Sequence, residues 1–166
     1  MVTTRVLSNA HRNGDEKGDI VKNNYFDFPV GIQWNCRQCS KCCGDTTNRV
    51  RRILLLPVEA RQISEVLKIP LSQFCQKTNR ETYTFKMKKN CEKKCLFLKN
   101  GKCQIYTIRP LICRFYPFWL EHHKDGSFSF NASDECLGIG SGKIVNESFF
   151  KELFKLAVDK MKNDME

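Results

Sequence analysis

Along residues 26–34 the apolar side chains fall on alternate positions: Phe26, Phe28, Val30, Ile32 and Trp34. That period predicts a strand, and Pro29 on the off-beat makes it an edge strand or an extended arm. VRRILLLP (50–57) predicts a short buried strand, and Pro57 then suits the first turn of a helix reaching about Lys68. Pro70 opens a second short helix through about Asn79. Tyr83, Phe85 and Met87 alternate again within TYTFKMK. In CLFLKNGKCQIY (95–106) two apolar runs flank Asn100-Gly101, the preferred pair for a tight hairpin turn. IRPLICRFYP (108–117) predicts one helical turn bounded by prolines, and GSFSF (126–130) another short strand. Phe150, Leu153, Phe154, Ala157, Val158 and Met161 recur at helical spacing, so 146–163 is expected to be an amphipathic helix with its apolar face packed on the domain.

These elements sit in 166 residues, the size of one ordinary domain. Hydrophobic content is 41% and mean hydropathy −0.46, so the core is modest. Ten cysteines point to a second source of support. The first 19 residues contain no apolar stretch of signal-peptide length. The longest strongly apolar runs, such as ILLLPV (53–58), are too short to span a bilayer. The expectation is a soluble, cytoplasmic chain, a compartment in which clustered cysteines bind metal or do redox work more often than they form disulfides.

Four of the cysteines lie within CRQCSKCC (36–43). Two-residue spacing lets a turning backbone aim successive sulfurs at one centre, a geometry used by both iron–sulfur clusters and tetrahedral zinc. A run of three with one remote cysteine has the form of a [4Fe–4S] site, while an all-thiolate set also permits zinc. Cys43 is expected to turn away from the centre that Cys42 completes and to serve a second one, or to bridge to a neighbouring one. Cys95, Cys103, Cys113 and Cys136 bring the candidate ligands to eight, enough for two four-sulfur sites. With Asn100-Gly101 as the turn, Leu98 pairs with Cys103 and Cys95 with Tyr106. Cys95 and Cys103 then project to opposite faces, unless a bend re-aims one of them. Cys75 reads as a buried small residue and Cys91 is assigned to neither group. His122 and His123 could ligate metal, but the cysteines suffice. Arg109 and Arg114 flank Cys113 and are candidate cofactor-binding residues, supplying charge and hydrogen bonds beside a thiolate centre.

The charge balance, 28 Lys and Arg against 18 Asp and Glu, is +10. Seven lysines, from Lys86 to Lys102, crowd one segment with Glu92 as the only acid among them. Such a patch is a solvated face, or it attracts an acidic protein or nucleic acid. Cations beside thiols also favour the ligating thiolate.

CRQCSKCC (36–43), LLPVEARQISEVLKIPLSQF (55–74), CLFLKNGKCQIYTIRPLICRFYP (95–117) and CLGIG (136–140) together resemble the YkgJ-like CxxCxxCC cysteine-cluster family of zinc- or iron-chelating domains and Fe–S-cluster-containing proteins. The resemblance runs over roughly residues 34–142. It implies metal ligation by Cys36, Cys39, Cys42, Cys43, Cys95, Cys103, Cys113 and Cys136. Leu137 stands where the family's C-P-G-I-G has proline, which bears only on the local turn. Similar domains occur in flagellin lysine N-methylases. No glycine-rich loop that would cradle S-adenosylmethionine follows a strand here, so methyltransferase activity is not carried over.

The expected fold is a small, cysteine-rich α+β domain of short strands, a hairpin and short helices organised around metal. Residues 1–24 form a flexible lead-in, 25–142 the metal-binding domain, and 143–166 a C-terminal helix packed on it. The expected function is iron–sulfur electron transfer or redox support of an acidic protein partner, without a membrane. The alternatives are a structural zinc module with a basic partner- or nucleic-acid-binding face, or a metal carrier. Neither a Ser–His–Asp set nor a paired-carboxylate motif is present, so no self-contained catalytic motif supports an enzyme.

Overall fold

The structure, a computed structural model, describes residues 26–162; the expected lead-in over 1–24 lies outside the described residues. In chain order the elements are β1 (Phe26–Asp27), β2 (Gln33–Trp34), β3 (Leu54–Leu55), α1 (Pro57–Leu67), α2 (Leu71–Phe74), β4 (Cys75–Lys77), β5 (Phe85–Met87), β6 (Leu98–Lys99), β7 (Lys102–Cys103), α3 (Leu111–Phe115), β8 (Phe118–His122), β9 (Phe128–Ala132), β10 (Ile139–Ile144) and α4 (Glu147–Lys162). The architecture is α+β with a C-terminal helix. Among the described residues no helix is long and apolar enough to cross a membrane.

Among the described residues the chain divides into two compact units, one of residues 26–35 with 117–155, the other of residues 36–116 with 156–162. The division therefore falls inside the 25–142 segment, and α4 contributes residues to both.

In the first unit a three-stranded sheet runs in the order β1-β9-β8, and β2 pairs with β10. The alternation over 26–34 does not form one strand. It breaks at a turn over Val30-Gly31, where Gly31 takes φ 77°, and each half pairs with a different partner. β1 occupies a sheet edge, and Pro29 lies beyond its end. β8 and β9 form an antiparallel hairpin from Phe118↔Ala132 to His122↔Phe128. The core here is aromatic. Phe150 on α4 lies 5.3 Å from Phe28, 5.1 Å from Phe118 and 5.0 Å from Phe130 between ring centres. Phe154, one helical turn on, stacks on Phe26 at 5.3 Å. Each such pair contributes about 0.5–1.5 kcal/mol beyond its buried area.

The second unit has the sheet β3-β5-β4 and the hairpin β6-β7. Helix α1 starts at Pro57 as expected and stops at Lys68, whose φ of 53° gives a left-handed cap. Helix α2 is shorter than expected. It ends at Phe74 because Cys75–Lys77 leave it to pair with β5, Cys75 opposite Met87. Helix α3 sits between Pro110 and Pro117 as the prolines dictate. Ile53, Leu55, Ala60, Ile63, Phe74 and Met87 form the apolar centre, and Cys43, Cys103 and Cys113 pack against it.

Candidate metal centre

The cysteine run folds as a succession of tight turns. Gln38 and Ser40, two of the four residues between Cys36, Cys39 and Cys42, both take left-handed backbone angles, φ 49° and 58°. Cys43 N–H donates to Ser40 O at 2.9 Å, closing a 3-10 turn over Lys41–Cys43. A strand would set Cys42 and Cys43 on opposite faces; a 3-10 turn separates neighbours by only about 120°. Their Sγ atoms lie 4.0 Å apart. The tandem thiols are thus side by side rather than turned apart.

The segment after the doublet is held by backbone pairing. Cys95 N–H donates to Cys43 O at 2.6 Å, and Asp45 N–H to Lys93 O at 3.2 Å. The hairpin carries Cys103 into the same neighbourhood. Asn100 and Gly101 have φ 49° and 71°, the left-handed pair a two-residue turn needs, and Leu98 faces Cys103 as predicted. Cys95 does not continue the strand to face Tyr106. Leu98 N–H donates to Cys95 O at 2.9 Å, so the chain turns there. That bend removes the opposite projection that the alternation implies for Cys95 and Cys103. Cys113 comes in on α3.

Electrostatics identifies the group. The thiols of Cys43, Cys95, Cys103 and Cys113 all have raised pKa values, each in part from the charge of other members of the set. For Cys113, burial is the main cause and pushes it up to about 12. Cys42 is lowered to about 6, first by the hydrogen bond from the Cys43 thiol, then by Arg51 and Arg49 against the cost of burial. Five sulfurs that repel one another as thiolates form a donor set suited to a soft or borderline cation, which would reverse the repulsion. Among the described residues no three such donors are spaced to hold one ion. The donor chemistry fits a metal, and Cys42, Cys43, Cys95, Cys103 and Cys113 are the residues that would hold it in this unit.

The other predicted ligands lie differently. Cys36 and Cys39 are exposed at the start of the same unit. Cys136 belongs to the first unit, where Gly138 N–H donates to its Sγ at 3.4 Å. Cys75 is buried in the apolar centre, its thiol donating to Leu71 O at 3.3 Å, and Cys91 is exposed. Arg109 lies over the Tyr106 ring at 4.0 Å, donates to Tyr106 O at 2.7 Å, and lowers Cys103 by its charge. Arg114 donates to the carbonyls of Arg109 and Thr107. The hydrogen bonds of both arginines thus run to backbone oxygens.

Two residues essential to this arrangement escape the sequence reading. Arg51 reaches Cys42 O through Nε at 3.0 Å and Ile112 O through Nη2 at 3.4 Å. Nothing in RVRRILLLP (49–57) separates it from Arg49 and Arg52. Glu59, 1% exposed, accepts Leu56 N–H at 3.2 Å and Leu111 N–H at 2.6 Å, with Lys160 Nζ at 3.5 Å. It ties the first turn of α1 to the start of α3, which carries Cys113. The Pro57-Val58-Glu59 start is a legible helix-entry pattern; the bond to Leu111, 52 residues on, is not.

Comparison with known proteins agrees with this cysteine pattern. Uncharacterized protein MJ0661 of Methanocaldococcus jannaschii is 30% identical over 146 residues, covering 80% of this chain and 75% of that protein. Uncharacterized protein MJ0939 of the same organism is 30% identical over 148 residues, covering 82% of this chain but only 50% of its own length. No solved structure matches. Residues 35–137 match the family model described as "CxxCxxCC: Putative zinc- or iron-chelating domain", a span that takes in all ten cysteines, from Cys36 to Cys136, and the chain belongs to that family.

Proposed function

We propose that this chain carries an iron–sulfur centre, with [4Fe–4S] preferred, that moves electrons or supports a redox reaction for a partner protein. The observation that carries the reading is that Cys43, Cys95, Cys103 and Cys113, from four separate segments, lie in or against one apolar centre, with the Cys42 Sγ 4.0 Å from that of Cys43. Thiolate ligation suits iron–sulfur clusters, whose negative charge the neighbouring arginines would offset. The site's own residues would hold the cluster, limit water access and set its electrostatic surroundings; the bound group would supply the one-electron chemistry.

The partner in this reading presents carboxylates. Lys99 and Lys102 stand directly opposite one another beside the hairpin turn, both exposed. Like charges in such a cross-strand pair are unfavourable, and an acidic surface would relieve them.

Anaerobic purification followed by iron, sulfide and zinc analysis tests the proposal. The expected result is brown protein with iron and acid-labile sulfide, whose visible absorption bleaches on reduction. Colourless protein with stoichiometric zinc would replace it with the structural-zinc reading. Metal that exchanges freely with a chelator would favour a carrier.

A further inference from the structure

We infer that Arg51 is the positioning residue of the metal centre, holding the Cys42 and Cys113 segments in register through its guanidinium fork. The inference rests on the metal-binding reading above and names a residue within it. Arg51 is itself anchored at both ends. Its backbone N–H donates to Asp45 Oδ1 at 2.8 Å, and Asp45 is in turn paired with Lys89. Its guanidinium lies 5.3 Å from the centre of the Tyr116 ring. From that fixed seat Nε reaches the carbonyl of Cys42 and Nη2 the carbonyl of Ile112, the residue before Cys113.

Those two carbonyls lie on segments about seventy residues apart, and the rigid planar fork spans both. The backbone bonds described above tie Cys42–Cys43 to Cys95, and Glu59 fixes the start of α3. Arg51 supplies a direct tie between Cys42 and α3. Its charge also acts favourably on the thiolates of Cys42 and Cys113. A lysine at this position would keep the charge but, with a single ammonium on a flexible stem, would not reproduce the two fixed directions.

Cobalt(II) added alone to the full metal-free chain provides the test, because sulfur-to-cobalt charge-transfer absorption reports thiolate ligation and ligand-field bands report geometry. Wild type, Arg51→Lys, Arg51→Gln and Arg52→Gln are compared, with circular dichroism to establish folding. Arg52 is exposed, and its variant is expected to match wild type. Arg51→Gln should weaken cobalt binding roughly 10- to 100-fold. Arg51→Lys should also weaken it and alter the ligand-field bands, showing that geometry as well as charge is lost. If Arg51→Gln does not fold, Arg51→Lys decides alone. Arg51→Lys with wild-type affinity and bands overturns the positioning role while leaving metal binding intact. Wild-type protein that takes up neither cobalt nor iron overturns the metal reading, and this inference with it.

Discussion

Cys42 and Cys113 belong to one cluster yet differ in ionisation. The Cys43 thiol hydrogen bond and Arg51 hold Cys42 at about 6, whereas burial drives Cys113 to about 12. At pH 7 Cys42 of the metal-free chain is then mainly thiolate. Alkylation followed by peptide mapping should give Cys42 an inflection near 6 and leave Cys113 unlabelled through neutral pH; an inflection for Cys42 at or above the ordinary thiol range would contradict the arrangement. Glu59 obeys the opposite logic. Burial raises its pKa, against the two backbone N–H donors and Lys160. The folded chain therefore holds this proton more readily than the unfolded chain. Its contribution to stability is fully present below the ordinary glutamate value and declines as pH rises through the folded-state value. Glu59→Gln offers one oxygen to two N–H donors, at a cost of about 1–3 kcal/mol. Urea unfolding should show that cost greatest in acid and shrinking as pH rises. A gap independent of pH would mean that the carboxyl does not titrate with folding.

Elements were legible where one local rule acted without competition. Asn100-Gly101 called for left-handed angles at both positions, and the hairpin followed with its register. Pro57, Pro110 and Pro117 bounded helices for covalent reasons that no tertiary contact overrides. Cys75–Lys77 went the other way, because pairing with β5 outweighed continuation of α2. Strand β8 carried no readable period: Phe118 is buried and Trp119 is 49% exposed, so both faces are apolar in sequence. Strand β10 was hidden by Gly140 and Gly142; Gly142, and Gly138 just before the strand, permit close approach to Asn35. A Cβ at Gly138 would stand 2.3 Å from Asn35 O, and one at Gly142 2.6 Å from Asn35 Cβ. Gly138→Ala must push the turn after Cys136 away from the backbone at Asn35 and should cost about 1–3 kcal/mol. Chemical denaturation monitored by Trp fluorescence measures it, since Trp34 and Phe118 form an edge contact at 5.6 Å in the same unit. Unchanged stability would show that the β2–β10 approach is loose.

At the scale of the whole molecule, a metal-binding pattern was legible in the cysteine spacing, but not which thiols lie near one another, which depends on the bend at Cys95 and on the turn that sets Cys42 beside Cys43. The two units also differ in what stabilises them. The first has its interlocked rings around Phe150 and Phe154. The second places thiols against its apolar centre, where a bound cation would add ligand bonds that the metal-free thiols lack. Apparent binding energies of about 10–16 kcal/mol at structural metal sites match or exceed the roughly 5–15 kcal/mol net stability of a typical domain. Metal removal should therefore act unevenly. Hydrogen exchange on chelator-treated protein is expected to accelerate first at Cys95, whose N–H is bonded to Cys43 O, and at Leu96, whose N–H is bonded to Lys88 O. Amides pairing β8 with β9 should keep more of their protection. Cys113→Ala should reproduce this pattern without chelator, as the variant removes one donor from the second unit alone. Equal acceleration in both units would mean that they unfold together and that the rings give the first no independent stability. Unchanged exchange in both, with metal demonstrably gone, would mean that the thiol cluster contributes nothing to the fold.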